Sequence, residues 1–376
     1  MTQLRTLKLN LDNSEDLDTQ DLDIFTVALP KLSFLTQLDI AFEGTWTFQE
    51  PTLLKLLGAF QSMKNLTDLA IDLGGCRFSY YYYEAGSILE SLKCLVGTSI
   101  RKLRLGLFQN FVNQNLRELS ATLKELNLLQ SLSLYFFSRS SLIEDLFADF
   151  GSALACLVSL TSLSLYYPSG VAIKNIVQIS ASALMSLQNL EFLKLAFGLS
   201  NEAEDQQFQT LCTNLKSLKS LKYLDIQVAN QKKITNTSLE VFGESLKGLN
   251  LLKDLSLDFS SADLITNQGI EALCYAIQEG LPNLFGLSLK FEENPNINEK
   301  VMSKLAETLR SLALLYSVEL CFLRCVKIID CKDLFNALRG MKNLEEVKLS
   351  LPYSEENSRE VCDLGKIKDI ISFNLF

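Results

Sequence analysis

The sequence contains no histidine, and this absence excludes many kinds of catalytic site. Serine–histidine and cysteine–histidine nucleophile pairs, histidine-ligated metal centres and histidine general bases all need that side chain. The chain also lacks a glycine-rich phosphate loop of the Walker or dinucleotide type. We therefore expect a protein that is not an enzyme and that uses no cofactor and no metal.

Long apolar runs are missing too, although apolar residues make up 48% of the chain. No run reaches the roughly 18 uninterrupted apolar residues of a membrane-spanning helix, so we expect no membrane insertion. The 44 acidic residues outnumber the 35 basic ones, which gives a net charge of −9. This balance disfavours nucleic acid and anionic membranes as partners.

The nine cysteines are an odd number without a regular framework, and most fall at apolar core positions. We therefore expect reduced thiols in a protein of the cytoplasm, where disulfides are rare. The tightest cluster is Cys321, Cys325 and Cys331. A zinc site would need a fourth ligand and closer pairing, so thiols in and beside one strand are the better interpretation.

One apolar pattern returns twelve times, about 31 residues apart: leucine, two residues, leucine, one residue, leucine, one residue, bulky apolar. Alternation at a period of two predicts a strand with one buried face. The residues at position one of the repeats are Leu4, Leu35, Leu66, Ile100, Leu129, Leu160, Leu190, Leu221, Leu252, Leu284, Leu315 and Leu344.

The segment ahead of each strand has a different period. Apolar residues recur there in steps of three and four, as in Leu239, Phe242, Leu246 and Leu249. These steps predict an amphipathic helix that ends just before the strand. Asn113, Asn236 and Asn298 stand where three helices should begin, so we expect them to cap those helices.

The twelve repeats resemble the leucine-rich-repeat family, and the helix in each repeat resembles its ribonuclease-inhibitor-like branch. The resemblance covers residues 4–351 and implies an α/β solenoid shaped like a horseshoe, with a parallel sheet on the concave face and helices on the convex face. We expect residues 1–351 to form this solenoid. Residues 352–376 should form a C-terminal capping half-repeat that contains Ile371, Phe373 and Leu375.

Position nine departs from that family pattern. The ribonuclease-inhibitor-like branch usually carries asparagine or cysteine there, whereas this chain has residues as different as Glu43, Phe137 and Pro352. We therefore predict that the asparagine/cysteine ladder is lacking. An aromatic spine should replace it, because six repeats have phenylalanine at position eight. These residues are Phe42, Phe136, Phe197, Phe259, Phe291 and Phe322.

Positions three, five and seven should point to the concave face, where most residues are small or polar. Four consecutive repeats add a large aromatic residue: Tyr135, Tyr166, Phe192 and Tyr223. Exposed aromatics among small polar residues are typical of protein-binding hot spots. A small basic patch, Arg101, Lys102 and Arg104, adjoins acidic residues and should form local salt bridges rather than a nucleic-acid site.

A second candidate surface is the rim where the second and third strands end. Its aromatic residues are Trp46, Phe48, Tyr80, Tyr81, Tyr82 and Tyr83. Loops of this kind often provide specificity in repeat proteins. Alternatively, these residues fold back to cover the widened gap before the fourth repeat.

The sequence thus favours a non-catalytic, intracellular scaffold for protein–protein interaction with a protein partner of unspecified identity. The alternative is a regulator of an enzyme client, either an inhibitor or a small-GTPase activator of leucine-rich-repeat type. That alternative depends on fold analogy alone. Because no cap precedes Leu4, the first strand could also pair edge to edge with another chain.

Overall fold

The structure is a computed structural model of the 376-residue chain. It describes residues 3–11, 19–42, 50–74, 91–107, 113–136, 144–167, 183–197, 205–354, 357 and 370–375.

Strands form at all twelve predicted positions, and a thirteenth follows near the C-terminus. They are β1 Thr6–Asn10, β2 Gln37–Ala41, β3 Asp68–Asp72, β4 Lys102–Leu107, β5 Ser131–Phe136, β6 Ser162–Tyr167, β7 Phe192–Phe197, β8 Tyr223–Gln227, β9 Asp254–Asp258, β10 Gly286–Lys290, β11 Ser317–Cys321, β12 Glu346–Leu351 and β13 Ile370–Leu375. The last strand lies within the predicted half-repeat and pairs in parallel with β12. Its role as a cap stays a prediction.

Helices connect many of these strands, as the period of three and four residues predicts. The α-helices in the described part of the chain are α1 Thr19–Ala28, α2 Glu50–Ala59, α3 Asn113–Glu125, α4 Glu144–Ala155, α5 Asp205–Leu215, α6 Asn236–Leu246, α7 Asn267–Gly280, α8 Lys300–Ser311 and α9 Lys332–Gly340. Short 3₁₀ helices span Leu29–Lys31, Phe60–Ser62 and Ser91–Leu95. Within this part of the chain, every helix is too short or too polar to cross a lipid bilayer.

The chain forms two compact units, and among the described residues the division falls between Asn189 and Leu190. The N-terminal unit contains β1–β6 and the C-terminal unit contains β7–β13. Inside each unit, sequential strands up to β12 pair in parallel with equal repeat positions opposite each other. The pairing of β12 with β13 is also parallel but shifts in register between Val347 and Lys348. The predicted repeat register and the leucine-rich-repeat solenoid fold are therefore confirmed.

The core of each unit lies between its strands and its helices. Leu224 and Ile226 of β8 are fully buried, as are Leu239, Phe242 and Leu246 on α6. Burial of one such side chain contributes roughly 1.5–3 kcal/mol. A single strand and helix cannot enclose these faces alone, so each repeat depends on its neighbours for stability.

The predicted aromatic spine at position eight is confirmed in both units. In the C-terminal unit the rings of Phe259 and Phe291 stack with centroids 5.8 Å apart, and those of Phe291 and Phe322 with centroids 5.7 Å apart. In the N-terminal unit Phe136 stacks on Tyr167 at 4.8 Å. Tyr167 extends the spine to a repeat that the phenylalanine pattern had not included.

The prediction that the asparagine/cysteine ladder is lacking is wrong for two repeats. Asn294 is fully buried, and its Nδ2 donates a hydrogen bond to the carbonyl oxygen of Phe259 at 3.1 Å. The thiol of Cys325 donates to the carbonyl oxygen of Phe291 at 3.0 Å. Both residues stand at position eleven, two residues later than the family pattern places the ladder.

The turn after each strand explains this shift. Position eight is still part of the core, so the chain turns only at position ten, which adopts a left-handed backbone in four successive repeats. These residues are Asn230, Ser261, Glu293 and Arg324, with φ between 57° and 64°. In these four repeats the turn brings a buried isoleucine to position fourteen. The residues are Ile234, Ile265, Ile297 and Ile328.

A second set of hydrogen bonds links the starts of successive helices in the C-terminal unit. The backbone N–H of Thr235 donates to Asp205 at 2.8 Å, and that of Thr266 to Asn236 at 2.9 Å. The backbone N–H of Asn298 donates to Asn267 at 3.0 Å. We call these contacts the helix-start ladder.

The predicted capping role is therefore wrong for Asn236, whose side chain serves the next repeat and makes no cap bond to its own helix. Asn298 stands one residue before the cap position of helix α8, which is Glu299, and its Oδ1 accepts the N–H of Lys300 at 3.2 Å. Helix α3 begins at Asn113, as predicted.

The buried Asn294 gives a direct test of the position-eleven ladder. We expect Asn294→Ala to lower the free energy of unfolding by about 1–3 kcal/mol, because it removes a buried hydrogen bond and leaves a small cavity. Asn296→Ala is the matched control. Asn296 makes a similar bond to the carbonyl oxygen of Asp263 at 2.8 Å but is exposed. Urea unfolding monitored by circular dichroism measures both variants, and equal losses would contradict the ladder.

Candidate functional site

The candidate site lies on the face of each sheet that is opposite its core. Positions four, six and eight of strands β2–β12 are buried, so positions three, five and seven project the other way. The burial of β5 and β9 alternates in this manner along each strand. We call the surface formed by positions three, five and seven the sheet face.

In the N-terminal unit, the sheet face carries Tyr135 and Tyr166 side by side. Their ring centroids are 6.0 Å apart, with an interplanar angle of 34°. Their exposures are 37% and 39%, high values for side chains that stand opposite each other on paired strands. Two of the predicted site residues therefore form one exposed aromatic pair.

The basic patch beside this pair forms salt bridges, as predicted. Arg104 reaches past Ala70 to Asp39, with Nη2 and Oδ2 2.6 Å apart. Lys102 lies 3.9 Å from Asp68. The carboxylate of Asp72 accepts the N–H of Gly74 at 2.8 Å and lies directly over Gly106, where any side chain would overlap it. The patch is therefore largely neutralised.

In the C-terminal unit, the sheet face carries the other predicted pair. The rings of Phe192 and Tyr223 stack with centroids 4.3 Å apart and planes 6° apart. Both residues are half-buried. They stand at position three of neighbouring strands, where they are opposite each other in the parallel register.

Most acidic groups near this pair have partners. Asp225 is almost fully buried and bonds to Nζ of Lys194 at 2.8 Å and to Nε2 of Gln227 at 3.1 Å. Glu319 bonds to Nζ of Lys290 at 2.9 Å and to Oγ of Ser288 at 2.8 Å. Burial by itself would raise the pKa of Glu319, but these bonds outweigh it and lower that pKa. Paired charges of this kind neutralise much of the sheet face.

Asp254 differs from these acidic groups. Within the described residues, no hydrogen bond or salt bridge reaches its side chain. Burial raises the pKa of Asp254, and the positive charge of Lys253 opposes the rise. Nζ of Lys253 instead lies 5.3 Å from the ring centroid of Phe285. The Asp254 carboxylate lies over Gly286, where a side chain would overlap it.

The rim residues of the second candidate surface, Trp46, Phe48 and Tyr80 to Tyr83, lie outside the described residues. They stay a prediction. The structure shows instead an apolar set that sequence reasoning missed, at the edge where strands of the C-terminal unit begin. Its members are Leu251, Phe285, Leu314 and Tyr316, each at least 40% exposed. The available signal was an aromatic residue at position two, which occurs in repeats ten and eleven.

The cysteine cluster consists of thiols, as predicted. Burial raises the pKa of Cys325 and of Cys331 to about 12, so both are protonated at neutral pH. The Cys325 thiol is also committed to the position-eleven ladder. Within the residues that the structure describes, no group of three or more acidic or cysteine side chains could hold a metal ion.

The opposite pKa shifts of Asp254 and Glu319 predict opposite effects on stability. At pH 7 Asp254→Asn should raise the free energy of unfolding, because the folded state has to keep a desolvated carboxylate ionised. Glu319→Gln should lower it, because the ionised form of Glu319 is the stabilised one.

Both differences should vanish in acid, where both carboxyl groups are protonated. The penalty at Asp254 appears as the pH rises from about 3.8 through the raised folded pKa. The stabilisation by Glu319 exists above about pH 4.5 and is lost as the pH falls through the lowered folded pKa. Thermal unfolding followed from pH 7 down to pH 2 measures both changes, and a destabilised Asp254→Asn variant at pH 7 would contradict the assignment.

Comparison with known proteins adds structural likeness only. The chain is similar to a chain in the crystal structure of the Rad7 and Elc1 complex in yeast, with 16% identity and a TM-score of 0.51, over 92% of this chain and 81% of that chain. It is also similar to an internalin from Listeria monocytogenes, with 17% identity and a TM-score of 0.44, over 89% of each chain. No family model matches the sequence, and no curated protein matches it. The yeast likeness supports the leucine-rich-repeat fold, while the ribonuclease-inhibitor-like branch stays a prediction.

Proposed function

We propose that this protein is a non-catalytic scaffold for protein–protein interaction and that it binds a protein partner on its sheet face. The observation that carries the proposal is the presence of an aromatic pair on the sheet face of each unit, among small and polar residues. We further propose that this face is the concave side of the solenoid.

The physical state of the first pair supports this proposal. Tyr135 and Tyr166 are more than one third exposed, although they stand opposite each other on two paired strands. Tyrosine combines a large apolar ring with a polar hydroxyl group, and it is enriched among residues that dominate binding energy. Because rigid strands hold both rings, little side-chain entropy is lost when a partner covers them.

The charged groups around the aromatics support specificity rather than affinity. The salt bridges Arg104–Asp39 and Lys194–Asp225 fix the positions of charges on the sheet face. Fixed charges disfavour partners whose own charges do not match. The yeast structure of similar fold is a complex of one protein, Rad7, with another, Elc1. A protein partner for this chain agrees with that, but the proposal depends on the residues of the sheet face.

A fourfold variant tests the proposal: Tyr135→Ala, Tyr166→Ala, Phe192→Ala and Tyr223→Ala. We expect it to recover partners from native cell extract at least about tenfold less well than the unchanged protein, because loss of hot-spot aromatics costs about 2 kcal/mol or more each. Quantitative mass spectrometry of the affinity-purified material gives the ratio.

The control variant carries Tyr275→Ala, which removes an exposed aromatic side chain on helix α7, away from the sheet face. It should recover the same partners as the unchanged protein. Circular dichroism and thermal unfolding verify that both variants are folded. Equal recovery by the folded fourfold variant would refute binding on the sheet face, and the rim residues Trp46, Phe48 and Tyr80 to Tyr83 would then become the better candidates.

A further inference from the structure

Position three of the C-terminal unit brings together an aromatic pair and an unpaired carboxylate. Phe192, Tyr223, Asp254 and Gly286 stand opposite one another in four successive strands. Neighbouring strands are about 4.8 Å apart, so each side chain is next to the following one. This row is the only part of the described C-terminal sheet face that joins two aromatic rings to an acid.

The aromatic pair presents a flat surface to the acid. The rings of Phe192 and Tyr223 are nearly parallel and 4.3 Å apart, close to the distance between strands. They therefore stack along the direction that runs from strand to strand. Phe192 covers one face of the Tyr223 ring, and the other face is turned towards the repeat that contains Asp254.

The Asp254 carboxylate has no hydrogen bond or salt bridge among the described residues, and the ammonium group of the adjacent Lys253 lies over the ring of Phe285. The backbone of Gly286 leaves the space that this carboxylate occupies, and a side chain there would displace it. Nearby lysines are committed elsewhere: Lys194 to Asp225 and Lys290 to Glu319. A partly desolvated carboxylate without a hydrogen bond gains free energy when a cationic donor reaches it.

The electrostatic potential at the Tyr223 ring is negative, as it is at the Asp254 carboxylate. Burial raises the pKa of Tyr223, and the negative charges of Asp225, Asp254 and Glu319 raise it further. Negative potential at an aromatic face strengthens its attraction for a cation. An anionic ligand would be repelled here, and an apolar one would bury Asp254 without a partner.

Arginine is the side chain that satisfies both features together. Its planar guanidinium group stacks on aromatic rings, is weakly hydrated and donates paired hydrogen bonds to a carboxylate. Lysine offers a strongly hydrated point charge and matches the flat ring less well.

We propose that the sheet face of the C-terminal unit binds an arginine side chain of the protein partner, with the guanidinium group on the Tyr223 ring and paired to Asp254. This inference rests on the proposed function, because it names the chemistry of a partner for the same surface.

The test uses short peptides as probes and the full chain labelled with ¹³C in its tyrosine rings. The Tyr223 signal is assigned from its loss in Tyr223→Phe. We expect acetyl-Gly-Arg-Gly-amide to shift this signal in a saturable manner at millimolar concentration. The same peptide with citrulline, which is isosteric but neutral, should shift it at least fivefold less at equal ionic strength.

Asp254→Asn should weaken binding of the arginine peptide at least fivefold while it preserves the size of the side chain. Asp263→Asn is the matched control, because Asp263 is an acid of the same unit that is paired to Lys232 away from the sheet face. It should leave the affinity unchanged. Tyrosine spectra without peptide verify that both variants are folded.

Equal binding of the arginine and citrulline peptides would overturn the proposal, as would undiminished binding to Asp254→Asn. A third probe is acetyl-Gly-Lys-Gly-amide, and tighter binding of this peptide than of the arginine peptide would refute arginine as the preferred side chain. The tests distinguish failure of the arginine site from failure of the scaffold proposal. If the peptides show no effect but the fourfold aromatic variant still loses its partners, sheet-face binding stands and only the arginine site is wrong.

Discussion

The structure depends on one constraint: no repeat can bury its own apolar face. Leu224, Ile226 and Phe242 are excluded from water only because the repeats before and after them are in place. Parallel pairing in strict register follows, since a slip of one residue would expose the whole apolar set of a strand. The core therefore fixes positions one, four, six and eight. Chemical variety is left to positions three, five and seven.

This division explains how much the sequence could predict. The strands, their register and the two aromatic pairs follow from periods of two and about 31 residues, which depend on local pattern alone. The hydrogen-bonded ladder could not be located in this way. Asn294 and Cys325 stand two residues beyond the expected position, because a phenylalanine at position eight delays the turn. Both residues are visible in the sequence, but their assignment to the ladder depends on the backbone conformation of that turn.

The state of Asp254 was beyond the sequence for a different reason. Asp225, Asp254 and Asp258 are the same residue type, and all three stand on the sheet face. Which of them keeps a counterion depends on where the ammonium groups of neighbouring repeats end. Lys194 reaches Asp225, whereas Lys253 turns to the ring of Phe285. Such choices among competing partners emerge only when all side chains are placed together.

The helix-start ladder has a consequence for mechanical behaviour. In the C-terminal unit, Asp205, Asn236 and Asn267 each hold the backbone of the following repeat, so adjacent repeats are joined at the helix layer as well as at the sheet. Two separated lines of attachment resist bending between repeats far better than one line does. The repeats between Asp205 and Asn298 should therefore bend little relative to one another. The spacing between side chains on their sheet face then stays constant while a ligand binds.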